Sequence, residues 1–341
     1  MNNIQPKKIL VVKLQALGDI LMVTPAIRLL KENHPQYTID HLVFNRYKIV
    51  TKNNKCFNRI IGIDEKKCTI GGLYYLLRVY LSIRSEQYYY IINFHPNRTI
   101  RLICGLLGAK KVFHTNIKIK KKRKYHAVTF QDVIIQNFKG TENGLIHPKM
   151  DFMINFRNVN QMNFSSLQNY LCIHAGGGNN IGESTRIKHW PIEKYIQLIA
   201  IISREFPIHI LLTGNSEDHE IMGTIIKQND KAINLCGKTN LDELAFIFSK
   251  SRVNISGDTG AMHLAATTNA PLIALFGPTD PVQLLPHGPA ITLIKTPLNC
   301  APCYFGRFKG CRTGLENCMQ AITVDSVFEC VKKLLFPNLL P

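Results

Sequence analysis

The sequence predicts an α/β protein made of two Rossmann-like, doubly wound parallel sheets. Three observations carry this. Short apolar, β-branched runs alternate with helical stretches from Lys8 onward. The alternation restarts at Tyr170, after a polar, Asn-rich stretch from Asn155 to Asn169. And 341 residues are enough for two domains that each bury a core.

In the first half, Lys8–Lys13 (KILVVK) reads as a short buried strand, Leu14–Asp19 as a loop, and Ile20–Asn33 as a helix stopped before Pro35. Tyr37–Phe44 alternates toward a second strand. Tyr89–Phe94 is a strand, Thr99–Leu107 a helix ended by Gly108, and Lys111–Phe113 a strand. In the second half, Tyr170–His174 is a strand, AGGGNNIGEST a Gly-rich loop, Pro191–Phe206 a helix and Ile208–Thr213 a strand. A loop over Gly214–Asp218, a helix to about Asn229, a short strand near Ile233 and a helix over Leu241–Lys250 follow. Val253–Ile255 then turns through Ser256-Gly257-Asp258-Thr259-Gly260 into a helix, and Leu272–Phe276 closes the series. The boundary falls near residue 160, giving domains over 1–160 and 165–325 and a C-terminal helix or tail over 326–341. Neither half has G-x-G-x-x-G after its first strand, so a dinucleotide site has no motif to stand on.

Composition bounds the function. Hydrophobic residues at 45% and charged residues at 19% belong to a folded chain. The longest apolar candidate for a membrane span, Leu198–Leu212, is broken by Arg204, Glu205 and Pro207. The N-terminal apolar run, Ile9–Val12, is too short for a signal peptide, which places the protein in the cytoplasm. There the ten cysteines stay reduced, and Cys104, Cys172 and Cys236 read as core residues. The net charge of +19 is lopsided: residues 1–164 hold 27 Lys and Arg against 9 Asp and Glu, and the remainder 15 against 14. The basic half suits an anionic partner: a nucleic acid, an acidic membrane surface or a phosphorylated glycolipid. Its densest run, Lys118–Lys124 with Lys120, Lys121 and Lys122 at the centre, is either a solvated loop or part of that docking surface.

Several constellations sit where strands give way to helices, the ligand-binding end of open α/β sheets. Gly18-Asp19 follows the first strand, and Asp19 reads either as a helix N-cap or as a general base; spacing alone favours the cap. Ser184, Thr185 and Lys188 stand ahead of a helix beginning at Pro191, the residue types of a phosphate cradle or of an ordinary polar loop. At the second such start Thr259 can cap, Gly260 lets a ligand approach the backbone, and Asp258 suits sugar hydroxyls. His263 follows on the same helix, and Gly277–Pro281 is a rigid turn at the end of the last strand. Cys300, Cys303, Cys311 and Cys318 form C-x2-C-x7-C-x6-C, which reads as a structural Zn or Fe site or as buried thiols packing a short loop.

Together, GDILMVTPAIRLL (18–30), KHWPIEKY (188–195), SGDTGAMHLAA (256–266) and LFGPTDP (275–281) resemble, in order, the motifs of glycosyltransferase family 9, the lipopolysaccharide heptosyltransferases. The resemblance implies a GT-B fold, with an acceptor domain first, a nucleotide-sugar donor domain second and a cleft between them. It implies an inverting transfer of heptose, or a related sugar, from an ADP-activated donor to a lipopolysaccharide inner-core acceptor, with no cofactor required for catalysis. Asp19 then matches the base that deprotonates the acceptor, which overrides the cap reading. Gly18 and Lys120–Lys122 fall on the acceptor side. Lys188 matches the contact to donor phosphate; Asp258, Thr259, Gly260 and His263 match the donor motif; Ser184, Thr185 and Glu217 complete the donor set. The stretch from His174 to Lys188 is longer and richer in glycine than the family pattern. The implied setting is the inner face of the cytoplasmic membrane, with an anionic glycolipid as acceptor and no nucleic acid. Three alternatives stand beside it: an autotransporter-type protein heptosyltransferase with a four-cysteine iron site, a basic nucleic-acid-binding protein, and a nucleotide-sugar epimerase.

Overall fold

The computed structural model describes residues 7–68, 73–115, 125–141, 148–159, 169–176, 186–227, 229, 231–288, 290–304, 311, 313–315 and 317–336. The chain forms two compact units, 1–153 and 154–341.

The first unit runs β1 (Lys8–Val12), α1 (Leu17–Asn33), β2 (Thr38–Phe44), α2 (Lys48–Thr51), β3 (Arg59–Ile63), α3 (Leu73–Ser85), β4 (Tyr90–Asn93), α4 (Arg98–Leu106), β5 (Lys111–His114) and α5 (His126–Asn137). Its strands pair in parallel in the order β3-β2-β1-β4-β5. The central strand is buried on both faces. Leu10 and Val12 join a core with Val79 and Ile83 of α3 and Cys104 of α4, so Ile9 and Val11 point to the other face by strand alternation. There α1 packs against α5. Pro25 lies inside α1 and cannot donate to the Leu21 carbonyl one turn back; the Thr24 hydroxyl donates to it instead, at 2.7 Å.

The second unit runs β6 (Tyr170–His174), α6 (Ile192–Glu205), β7 (His209–Thr213), α7 (His219–Ile226), β8 (Ala232–Asn234), α8 (Leu241–Lys250), β9 (Asn254–Gly257), α9 (Gly260–Ala265), β10 (Leu272–Phe276), α10 (Pro281–Leu284), β11 (Ile291–Lys295) and α11 (Val324–Leu335). All its strands are parallel, in the order β11-β10-β9-β6-β7-β8. Val327, Val331 and Leu335 of α11 share the core with Trp190 and with Leu198, Ile199 and Ile202 of α6. Strand order reverses between β1 and β4 in one sheet and between β6 and β9 in the other, the switch points where such sheets bind ligands.

The sequence reading misplaces some edges. The helix after β1 starts at Leu17, so Gly18 and Asp19 lie in its first turn and not in a loop. Pro191 is the N-cap of α6 and not its first residue, and Pro281 opens a short helix where a turn was expected. The strand series does not close at Phe276, because β11 adds to the edge. Five further elements, α2, β3, α3, α5 and β11, went unread. Arg59–Ile63 is interrupted by Gly62, which admits the Asn45 side chain, and α3 carries apolar residues on its exposed side, which blurs the helical period. Among the described residues no helix is long and apolar enough to cross a membrane.

Candidate functional site

In the first unit the switch point gathers Lys13, Asp19, Tyr47 and His95. Lys13 directly follows β1 and is buried; its Nζ lies 2.6 Å from Asp19 Oδ2. An ammonium taken out of water needs an anion beside it, and Asp19 supplies one from the third position of α1. Asp19 is therefore not the helix cap: Ala16 holds that position and makes no side-chain cap bond. Backbone bonds fix Lys13 in place. Its N–H donates to the Leu42 carbonyl (3.3 Å), and its own carbonyl accepts from His41 Nε2 (3.2 Å), while His41 Nδ1 accepts from the Thr51 hydroxyl (3.0 Å). Burial holds His41 neutral, with its pKa lowered to about 4.

His95 comes from the neighbouring strand end, where the Phe94 N–H donates to the Val12 carbonyl at 2.9 Å. Burial and the nearby Lys13 charge lower the His95 pKa to about 4, against the opposing pull of Asp19. The Tyr47 phenol is pushed up mainly by burial; Arg46 opposes this, and Glu65 and Asp19 add to it. Lys13, Tyr47 and His95 were missed in the sequence. Only Lys13 left a signal there, as a cation ending an apolar strand six residues before Asp19. Lys120, Lys121 and Lys122 lie outside the described residues.

In the second unit Lys188 ends a short 3-10 turn, Arg186–Lys188, and its Nζ lies 3.4 Å from Asp258 Oδ2. The pair is 14% and 7% exposed. A Cβ on Gly257 would stand 3.3 Å from the Lys188 carbonyl, so a glycine at the end of β9 lets this turn come close. The turn is anchored behind Lys188, where Trp190 Nε1 donates to the Ile322 carbonyl at 3.0 Å. Lys188 Nζ also stands 4.6 Å from the centre of the Tyr304 ring. Tyr304 reaches it because the N–H groups of Cys303 and Tyr304 both donate to the Pro278 carbonyl, at 2.9 Å.

Thr259 caps α9 as expected, accepting from the Met262 N–H (3.4 Å), and Gly260 opens that helix. His263 is buried within it. Thr279 Oγ1 and Asp258 Oδ2 are buried and make no hydrogen bond among the described residues, though Asp258 Oδ2 keeps its ion pair with Lys188. Glu217 is exposed, whereas its neighbour Asp218 is buried. Gly176 and Gly214 make room for the Asp218 carboxylate, which accepts from the Asn215 N–H at 2.9 Å. Burial raises the Asp218 pKa; the Asn215 bond and the charge of His189 lower it. His174, at the end of β6, lies 3.1 Å from Thr213 Oγ1 and is held neutral by burial and by His189, with its pKa lowered to about 4. Ser184 and Thr185 lie outside the described residues.

The cysteine motif packs on the same region. Burial, followed by the neighbouring Cys303 and Cys300, raises the Cys318 thiol pKa, and Cys311 Sγ lies 3.2 Å from Thr313 Oγ1. Among the described residues no three His, Cys, Asp or Glu side chains converge as a metal site requires. The backbone of Cys303, with that of Tyr304 itself, ties Tyr304 to the turn after β10.

The sequence model described as glycosyltransferase family 9 (heptosyltransferase) matches residues 98–309, more than half of the chain. Lipooligosaccharide heptosyltransferase 2 of Campylobacter jejuni subsp. jejuni serotype O:2 is 26% identical over 330 residues, covering 94% of this chain and 95% of that one. Among solved structures, the glycosyl transferase family 9 protein of Veillonella parvula superposes with a TM-score of 0.81 at 22% identity, over 98% of this chain and 99% of the other. E. coli heptosyltransferase WaaC with ADP gives 0.72 at 16% identity, over 96% and 99%. The fold is thus of the GT-B class, as expected from the four motifs.

Proposed function

The chain belongs to glycosyltransferase family 9, the heptosyltransferases, and from that membership we propose that it transfers heptose from ADP-heptose, with inversion, to a lipopolysaccharide inner-core acceptor. The observation that carries the donor half is the Lys188–Asp258 pair beside Tyr304 at the switch point of the second sheet. The ADP preference is supported by a solved relative that holds ADP.

The chemistry is a single displacement. Asp19 takes the proton of the acceptor hydroxyl as that oxygen bonds to the anomeric carbon, and the bond from that carbon to the diphosphate breaks on the opposite face. The electron pair leaves with ADP. Lys188 neutralises the charge that develops on the diphosphate, so the departing group needs no metal ion to carry it away. The buried Thr279 Oγ1 and Asp258 Oδ2, the latter ion-paired with Lys188 but without a hydrogen bond, suit donor hydroxyls as hydrogen-bond partners. The basic first unit binds the anionic acceptor at the inner face of the cytoplasmic membrane. The test is release of ADP from ADP-heptose that depends on added acceptor and disappears in Asp19→Asn. Release without acceptor, or undiminished transfer by that variant, would overturn this reading.

A further inference from the structure

The first unit carries an apolar surface that neither its core nor the chemistry above uses. α3 and α4 are linked at the Leu106 carbonyl, which accepts from the Tyr80 hydroxyl (2.8 Å) and from Arg84 Nη1 (3.0 Å). Val79, Tyr80 and Ile83 of α3 and Ile100 and Cys104 of α4 face the core. The opposite side exposes Tyr74, Leu77 and Leu81 on α3 and Leu102 and Leu106 on α4, each between 51% and 73%. The spacing of three and four residues sets each group in a stripe along its helix.

Arg78, Arg84, Arg98 and Arg101 are exposed on the same two helices, and neither helix contains Asp or Glu. Single exposed leucines are ordinary on a protein surface. Five large apolar side chains set among four cations and no anion are not, and that composition matches a surface lying in a headgroup layer, with leucines at the acyl boundary and arginines on lipid phosphates. A second copy docked on this face would set arginine against arginine, so the charge argues against self-association.

We propose that the α3–α4 face docks on an anionic lipid bilayer. α4 begins three residues after His95, so its N-terminal end, at Arg98, lies close in the chain to the first-unit site. This deepens the acceptor reading by giving the lipid-linked substrate a surface to approach along, but the lipid contact can be measured without any sugar.

The test is co-sedimentation of the full chain with phosphatidylcholine vesicles, with and without phosphatidylglycerol. The wild type binds the phosphatidylglycerol vesicles, and Leu81→Asp with Leu102→Asp weakens that binding about tenfold or more. Arg78→Gln with Arg101→Gln weakens it too and flattens its salt dependence. Circular dichroism and nucleotide binding establish that each variant is folded. No binding by the wild type, or equal binding by a folded Asp variant, overturns the proposal. So does self-association in sedimentation velocity that the Asp variant abolishes. Failure of the transferase reading would show instead as no transfer to a soluble acceptor, with vesicle binding intact.

Discussion

Lys13 Nζ lies 2.6 Å from Asp19 Oδ2, with the lysine side chain 4% exposed and the carboxylate 38%. The cation is buried and its partner faces outward, so the pair both anchors the start of α1 and presents a carboxylate to solvent. Structure and chemistry therefore separate by mutation. Asp19→Asn should abolish transfer, leave nucleotide affinity nearly intact, and lower stability by roughly 2 kcal/mol, less than for a fully buried pair because the carboxylate is partly solvated. Adding Lys13→Met should restore the melting temperature and not the activity. Recovery of transfer in the double variant would remove Asp19 from its role.

Lys188→Ala should weaken ADP binding about tenfold or more, the worth of a charge-assisted contact to phosphate. Tyr304→Leu should cause a smaller loss by removing the ring beside the ammonium. Isothermal titration measures both. Unchanged affinity in Lys188→Ala would end its phosphate assignment.

Gly176→Ala should destabilise the second unit and weaken nucleotide binding, because the new methyl runs into the Asp218 carboxylate that the Asn215 cap holds in place. Thermal melting and titration with ADP check this, and the combination with Asp218→Ala should recover part of the stability.

Acid should destabilise the fold over a defined window. His41 and His174 are neutral in the folded protein, with pKa values lowered from 6.5 to about 4. Between those values the unfolded chain binds protons that the folded one refuses, so stability is complete above about 6.5 and declines as pH falls toward about 4. Melting temperature measured across that range should fall, and His41→Gln should flatten part of the slope. A flat profile in the wild type would contradict the burial argument.

Neutralising Lys120, Lys121 and Lys122 should weaken vesicle association, each surface cation contributing ~1 kcal/mol near an anionic membrane. Unchanged binding would exclude that run as a docking patch.

The parts of this protein that could be read from its sequence were those with local causes. The strand–turn–helix at Ser256–Gly260 announced itself because a β-branched strand, a capping threonine and a helix-forming run stand in succession, and Thr259 does cap. Lys188, which pairs with Asp258, was legible in the same way, ahead of Pro191. What escaped depends on distant pairing. His95 and Tyr47 reach the Asp19 region only because β1, β2 and β4 are neighbours in the sheet, and no local pattern encodes that. The cap reading of Asp19 failed because helix propensity marks where a helix can begin, while the partner across the turn, Lys13, decides what the carboxylate does. Glu217 and Asp218 are adjacent acids that look alike in the sequence; only burial separates them, with Asp218 inside and Glu217 exposed. The charge asymmetry between the halves was visible at once, yet it fits nucleic acid as well as lipid phosphate; the four motifs, not the charge, carried the enzyme reading.

The most direct measurement is calorimetric titration of the full chain with ADP, UDP and GDP, repeated on Lys188→Ala. Selective binding of ADP that the substitution weakens is the predicted result. Selective binding of UDP or GDP, binding that Lys188→Ala leaves unchanged, or no binding of any of the three would contradict an ADP-heptose donor held by Lys188.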